Sequence, residues 1–170
     1  MEIVYSTERL HLCVFNSRCL SAMSEVWGND DVMGLCNGAI PHEKLPLIIE
    51  AYANCHHENG LSVYAVQEKT SGKIIGAAGF NLTEHMDTIE LIYHFNRTSW
   101  GKGYATEAAA ACLEIAKNHS GTHLITASAD PQNQASRKIL KNIGFTEMGT
   151  KWFTDTEQEE PYYELIVSRK

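Results

Sequence analysis

Two glycines, Gly101 and Gly103, stand in the run Trp100-Gly101-Lys102-Gly103-Tyr104-Ala105-Thr106-Glu107-Ala108, just ahead of an alanine-rich stretch. Small residues let an anion approach the backbone. The unpaired N–H groups and the dipole of a helix start favour negative charge there, so the run suits a phosphate or pyrophosphate. It is not the dinucleotide fingerprint, which needs glycine at Thr106. It is not a P-loop either, because Gly103 follows Gly101-Lys102 where serine or threonine is required. The same two glycines also serve a plain strand-to-helix turn, and the surrounding sequence must decide between these readings. A second polar run, Asp130-Pro131-Gln132-Asn133-Gln134-Ala135-Ser136, leads to Ile143-Gly144-Phe145.

The elements that would position these residues are readable from periodicity. Arg9 to Phe15 alternates as a half-buried strand, with Leu10, Leu12 and Val14 on one face. Ser17 to Gly60 turns helical and is broken by Gly28, Gly34, Gly38, Pro41 and Pro46, which predicts two or three helices. Leu61 to Gln67 and Lys73 to Phe80 form a hairpin around Thr70, Ser71 and Gly72. Thr88 to Phe95 is a strand whose Ile89, Leu91, Tyr93 and Phe95 face one way and whose Glu90, Ile92 and His94 face the other. The glycine run follows it, and then an alanine-rich helix to about Asn118. Thr122 to Ser128 is a further strand, after which Asp130 as N-cap and Pro131 in the first turn predict a helix ending at Gly144. Phe145 to Phe153 and Tyr162 to Val167 close the chain as strands around a loop from Thr154 to Glu160. This order predicts a single α/β (α+β) domain over residues 1–170, with a central mixed, mostly antiparallel sheet flanked by helices. Such a fold class names no function by itself.

Composition narrows the partners. The chain has 170 residues, 44% of them hydrophobic and 21% charged, which is the range of folded globular proteins. Fourteen basic residues against 21 acidic ones give a net charge of −7 without a basic run, so nucleic acid is not an expected partner and cationic amines are mildly favoured. Cys13, Cys19, Cys36, Cys55 and Cys112 form no CxxC pair and no even disulfide framework, which fits a reducing cytoplasm. Met1 to Arg9 carries Glu2 and Glu8 and no apolar segment, and no stretch reaches membrane-spanning length. His56-His57 closes a helical stretch with no carboxylate or cysteine at metal-binding spacing, so no metal is expected.

Taken together, Thr7-Glu8-Arg9-Leu10, Ile75-Gly76-Ala77-Ala78-Gly79-Phe80, the WGKGYATEA run and the NxxSxxxLxxxGF run resemble the GNAT superfamily of N-acetyltransferases. More narrowly, they look like its ribosomal-protein N-terminal acetyltransferase (RimJ/RimL) branch. The resemblance spans about Thr7 to Phe145, with the motifs in the family's order. It implies that acetyl-CoA is the acetyl donor. Its pantetheine would lie along the backbone of Tyr93, His94 and Phe95, and its pyrophosphate on Gly101, Lys102, Gly103, Tyr104, Ala105 and Thr106. Asn133 matches a cofactor-contacting asparagine, although a polar residue in a first helical turn has other uses. Trp100 stands where the family's Q/R-x-x-G-x-G/A pattern has Gln or Arg, a replacement that resembles the RimJ/RimL branch.

The reaction so implied is direct attack of a neutral amine on a thioester. It needs a proton path, donors for the developing oxyanion and an acid for the leaving thiolate. Glu90 resembles the family's acidic residue near the acetyl group and is the expected base, with His94, Asp87, Glu84, His85 and relayed water as rivals. Many relatives place an acidic tyrosine where this chain has Leu140; Ser136 resembles the serine proposed instead, or it simply bonds its own helix. Glu107 is expected to complement the helix dipole, Cys112 to pack, and Tyr162-Tyr163 to pack a terminal strand. The expected function is N-acetylation of a primary amine, either a protein N-terminal α-amine or a small molecule, by a monomer or homodimer. A non-catalytic acyl-CoA-binding sensor is the alternative, and preference for a longer acyl group is a third reading.

Overall fold

A computed structural model describes residues 1–167. The chain forms β1 (Ile3–Ser6), β2 (Leu10–Cys13), α1 (Leu20–Val26), α2 (Asp30–Met33), α3 (Leu45–Asn59), β3 (Val63–Glu68), β4 (Ile74–Leu82), β5 (Thr88–Phe95), α4 (Tyr104–Lys117), β6 (Leu124–Ser128), α5 (Gln134–Asn142), β7 (Thr146–Phe153) and β8 (Gln158–Ile166). All strands join one sheet in the order β1-β2-β3-β4-β5-β6-β8-β7. Only β5 and β6 run parallel; the other neighbours are antiparallel. The mixed, mostly antiparallel α/β architecture expected from the sequence is the one observed.

The sheet is covered on both faces, which explains why its central strands are so apolar. On one face Ala108, Ala109, Ala111, Cys112 and Ala116 of α4 lie in a common core with Leu10, Leu12, Val66, Phe80, Ile89 and Leu91. The alanines bring the helix close to the sheet, and each buried large apolar side chain contributes about 1.5–3 kcal/mol. On the other face Met23, Val26, Trp27, Leu45 and Ile49 from α1 and α3 pack with Val63, Ala65 and Ala77. Alternation along β5 follows suit: Ile89, Leu91, Tyr93 and Phe95 join the α4 side, and Ile92 joins the other.

Three local readings need correction. Asp130 does not cap a helix; its Oδ1 accepts from Gln132 N–H at 2.8 Å in a tight turn, and α5 starts at Gln134 with Asn133 as N-cap. The loop from Thr154 to Glu160 is shorter than expected, because the β7–β8 ladder runs on to Phe153 opposite Gln158. Pro161 disguised that ladder. It is tolerated inside β8 because it lies just past the end of the β6 pairing and beside the irregularity between Glu147 and Thr150 of β7. The short edge strand β1 was also missed, since four half-exposed residues carry too little periodicity to register.

Candidate functional site

The parallel pairing of β5 with β6 lasts only from Thr88 opposite Leu124 to Glu90 opposite Thr126. Beyond that point β5 continues to Phe95 beside β4 alone, while β6 stays paired with β8 up to Ser128 opposite Tyr162. The two strands therefore part, and the β6-facing edge of β5 is left without a strand partner beyond Glu90. An extended chain with donors and acceptors can lie along such an edge. α5 flanks the opening: the Tyr93 hydroxyl lies 2.9 Å from Ser136 Oγ and donates to the Ser136 carbonyl at 3.2 Å. Burial, partly offset by the bond to Ser136, pushes the Tyr93 hydroxyl up to about 12, so it holds its proton at neutral pH.

The chain then passes through a 3-10 turn at Arg97–Ser99 to the glycine run. Gly101 and Gly103 adopt φ of 73° and 80°, a region that favours glycine, and Gly103 is the N-cap of α4. No side chain caps this helix start, and the first paired amide is Glu107 N–H on Gly103 O at 3.1 Å. The N–H groups of Tyr104, Ala105 and Thr106 thus have no carbonyl of their own helix to bond. A Cβ at Gly101 would meet nothing within 4 Å, so the run borders open space. Free amides, a helix dipole and room for a bulky anion suit the pyrophosphate of a CoA thioester.

This cradle is held from below. Glu107 accepts from Thr7 Oγ1 at 2.5 Å and from Arg9 N–H at 2.9 Å, and it pairs with Arg9 Nε at 2.6 Å. Arg9 also donates to the Lys102 carbonyl at 2.9 Å and lies 4.5 Å from the centre of the Tyr104 ring. Partial burial opposes ionisation of Glu107, but the bonds from Thr7 and Arg9 prevail and hold its carboxyl below the usual range. Its first-turn position does complement the dipole; its main contacts are the link to the turn between β1 and β2. Trp100 is half exposed and donates its indole N–H to the Phe95 carbonyl at 2.9 Å, so it takes up one backbone acceptor on the strand proposed for pantetheine.

Glu90 sits at the fork where β5 and β6 separate. Burial raises its carboxyl pKa, a bond from Asn81 lowers it in part, and the carboxylates Asp155 and Glu160 raise it further. Asn81 Nδ2 donates to Glu90 Oε2 at 3.3 Å, and the Tyr52 hydroxyl donates to Asn81 Oδ1 at 3.0 Å. Asn81 and Glu90 face each other across β4 and β5, and Tyr52 joins them from α3, a meeting that no sequence spacing announced. On the same face Trp27 Nε1 donates to His94 Nδ1 at 3.2 Å, and Trp27 lies between Phe15 at 5.5 Å and Tyr52 at 5.7 Å. Desolvation lowers His94 to about 4, leaving a neutral ring with one nitrogen engaged. Glu84, His85 and Asp87 are exposed on the β4–β5 turn, at the opposite end of β5 from the glycine run.

On the α5 side, Asn133 Oδ1 accepts from Ser136 N–H at 3.0 Å. Asn133 thus has a structural duty as helix cap. Leu140 is fully buried in the core and offers no proton. Cys112 and Tyr163 are buried as packing residues, and Tyr162 is nearly so.

The sequence profile described as the acetyltransferase (GNAT) domain matches residues 9–146. The chain belongs to the GNAT acetyltransferase family, and it is an acetyl-CoA-dependent N-acetyltransferase. Among curated relatives it is similar to the protein YkkB of Bacillus subtilis, at 29% identity over 155 residues, covering 86% of this chain and 88% of that one. An N-acetyltransferase, p20, of Bacillus licheniformis is 26% identical over 153 residues, covering 88% and 85%. Among solved structures, a GNAT-family acetyltransferase from Bacillus anthracis superposes with TM-score 0.83 at 24% identity over 98% and 99% of the two chains. A RimL ribosomal L7/L12 α-N-protein acetyltransferase solved with coenzyme A superposes with TM-score 0.80 at 14% identity over 98% of each. No helix among the described residues is long and apolar enough to cross a membrane.

Proposed function

We propose that the protein acetylates a primary amine by direct attack in a ternary complex, with Glu90 as general base and the Ser136–Tyr93 hydroxyl pair as proton source for the leaving sulfur. The observation that carries this reading is the parting of β5 from β6 immediately after Glu90, with Ser136 of α5 bonded to Tyr93 across the opening. The β5 edge from Leu91 to Phe95 would hold pantetheine, and the amides at Gly101 to Thr106 would hold the pyrophosphate. Asn133 would add a cofactor contact through its amide group while still capping α5. Bound there, acetyl-CoA supplies a thioester activated toward amines. The solved RimL relative with coenzyme A supports this choice of donor.

Glu90 takes a proton from the incoming ammonium, because its raised pKa brings a carboxylate nearer to neutral pH, where general bases work best. The amine nitrogen then forms its bond to the acetyl carbon as the carbon–sulfur bond breaks. Ser136, held by the Tyr93 hydroxyl 2.9 Å away, delivers its proton to the sulfur, and the proton that the amine nitrogen sheds as it becomes an amide returns to Ser136 through water, so that Tyr93 keeps its own. Asp155 and Glu160, whose fields reach Glu90, favour an acceptor that arrives as a cation. Both an α-amine of a protein and a small alkylamine fit that description.

Release of free CoA thiol, followed across a panel of N-terminal peptides and small amines, tests the reading. Wild type should release thiol only in the presence of an acceptor, and Glu90→Gln should slow release by about 10²- to 10⁴-fold without weakening acetyl-CoA binding. Equal rates in the two proteins would remove Glu90 from the mechanism.

A further inference from the structure

The end of α3 carries a group of ligating side chains that the acetyl-transfer site leaves unused. Folding brings Glu2, beside the start of β1, to His56 and His57, and one ligand atom from each of the three lies within 4.8 Å of the others. The sequence offered this histidine pair no carboxylate at metal-binding spacing; the fold supplies one from the start of the chain. We infer that Glu2, His56 and His57 form a surface site for one zinc-class divalent cation, which ties β1 to α3.

His56 is the anchor. Its Nδ1 lies 3.1 Å from the hydroxyl of Tyr64, a fully buried residue, and its ring packs edge-on against Tyr64 at 5.5 Å. That leaves Nε2 turned toward Glu2, 3.6 Å from Oε1. A ligating histidine is commonly oriented in this way by a partner on its other nitrogen. With a metal on Nε2, the ring proton moves to Nδ1 and donates to the Tyr64 oxygen. His57 and Glu2 are exposed and can close the gap to the about 2.0–2.2 Å that zinc requires by side-chain rotation alone.

Two further features favour a cation. Both histidines lie in the last turn of α3, which ends at Gly60 in the left-handed conformation, and a helix C-terminus carries partial negative charge. Two imidazoles and one carboxylate suit zinc, cobalt, nickel or copper and are a poor set for magnesium or calcium. Three protein ligands leave a fourth position for water. The site is apart from the chemistry in the sheet, since β1 is one edge and three strands, β2, β3 and β4, lie between it and β5. Its effect is to brace the edge strand, not to activate the acceptor.

The test is titration of the tag-free full-length chain with Zn²⁺ and with Co²⁺, in thiol-free buffer, with Mg²⁺ as control. One equivalent of each transition metal should bind, with a raised Tm and cobalt d–d absorption free of thiolate charge transfer. His56→Ala, His57→Ala and Glu2→Gln should each weaken binding tenfold or more and abolish the Tm rise. The metal-free Tm of the exposed-site variants His57→Ala and Glu2→Gln, unchanged from wild type, shows that they fold. Amine acetylation should be indifferent to EDTA. No saturable binding by the wild type, equal affinity in all variants, a thiolate band from Cys36 or Cys55, or Mg²⁺ binding as tightly would each overturn the assignment.

Discussion

In the proposed mechanism the proton chemistry rests on Glu90, which burial and the nearby Asp155 and Glu160 carboxylates hold in an easily protonated state. A base must be ionised to act, so kcat/KM should fall as pH drops through its raised pKa, on a limb above the ordinary carboxylate range. In Glu90→Gln that limb should vanish from the pH profile, leaving only acceptor ionisation. Ser136→Ala should lower kcat more than it weakens acetyl-CoA binding, because the proposed mechanism assigns its hydroxyl to the leaving group. If Tyr93 alone supplies the proton, Ser136→Ala will leave kcat unchanged and Tyr93→Phe will carry the loss. The sequence pointed to the glycine run through its own residue types, and to Glu90 and Ser136 through their places in the elements and the family resemblance. It was silent on Tyr52, Asn81 and the Tyr93 hydroxyl, because those contacts are made by side chains from separate elements that only tertiary packing brings together. The same limit hid the meeting of Glu2 with His56.

At the level of elements, the site depends on where β5 and α4 are held. Gly76 of β4 faces β5 so closely that a Cβ would lie 2.5 Å from the His94 carbonyl oxygen and 2.7 Å from the Phe95 ring. Gly76→Ala should therefore push the outer half of β5 aside, costing about 1–3 kcal/mol of stability and weakening acetyl-CoA. Denaturant unfolding and calorimetric titration would read the two effects; a variant with both unchanged would show that β5 yields without consequence. The clasp of Arg9 and Thr7 on Glu107 fixes the other wall of the cradle. Because the folded pKa of Glu107 is depressed, the stability it contributes is present above its unfolded pKa and is lost as pH falls through the folded value. The Tm difference between wild type and Glu107→Gln should accordingly be largest near neutral pH and close in acid; a difference independent of pH would separate the clasp from the carboxylate charge. Most of these elements were legible in the sequence. The alternation of β5 and the alanine-rich helix leave strong periodic signals, whereas β1, the true cap of α5 and the strand containing Pro161 do not.

For the whole molecule, both faces of the sheet are covered, and the proposed chemistry lies where β5 and β6 part. Ligand binding there should be coupled to global stability: acetyl-CoA at 100 times its Kd adds about 2.7 kcal/mol by linkage, which appears as a rise in Tm. Phe15, Trp27 and Tyr52 pack on one another on the face of the sheet that α1 and α3 cover, the face to which Glu90 also points. Calorimetric titration of acetyl-CoA into wild type and Gly103→Glu measures whether the pyrophosphate lies on the glycine run. Saturable binding by the wild type, with affinity reduced at least tenfold in a variant that is folded by circular dichroism, is the predicted result. Equal affinity in the two proteins would contradict it and leave the glycine run as a turn between a strand and a helix.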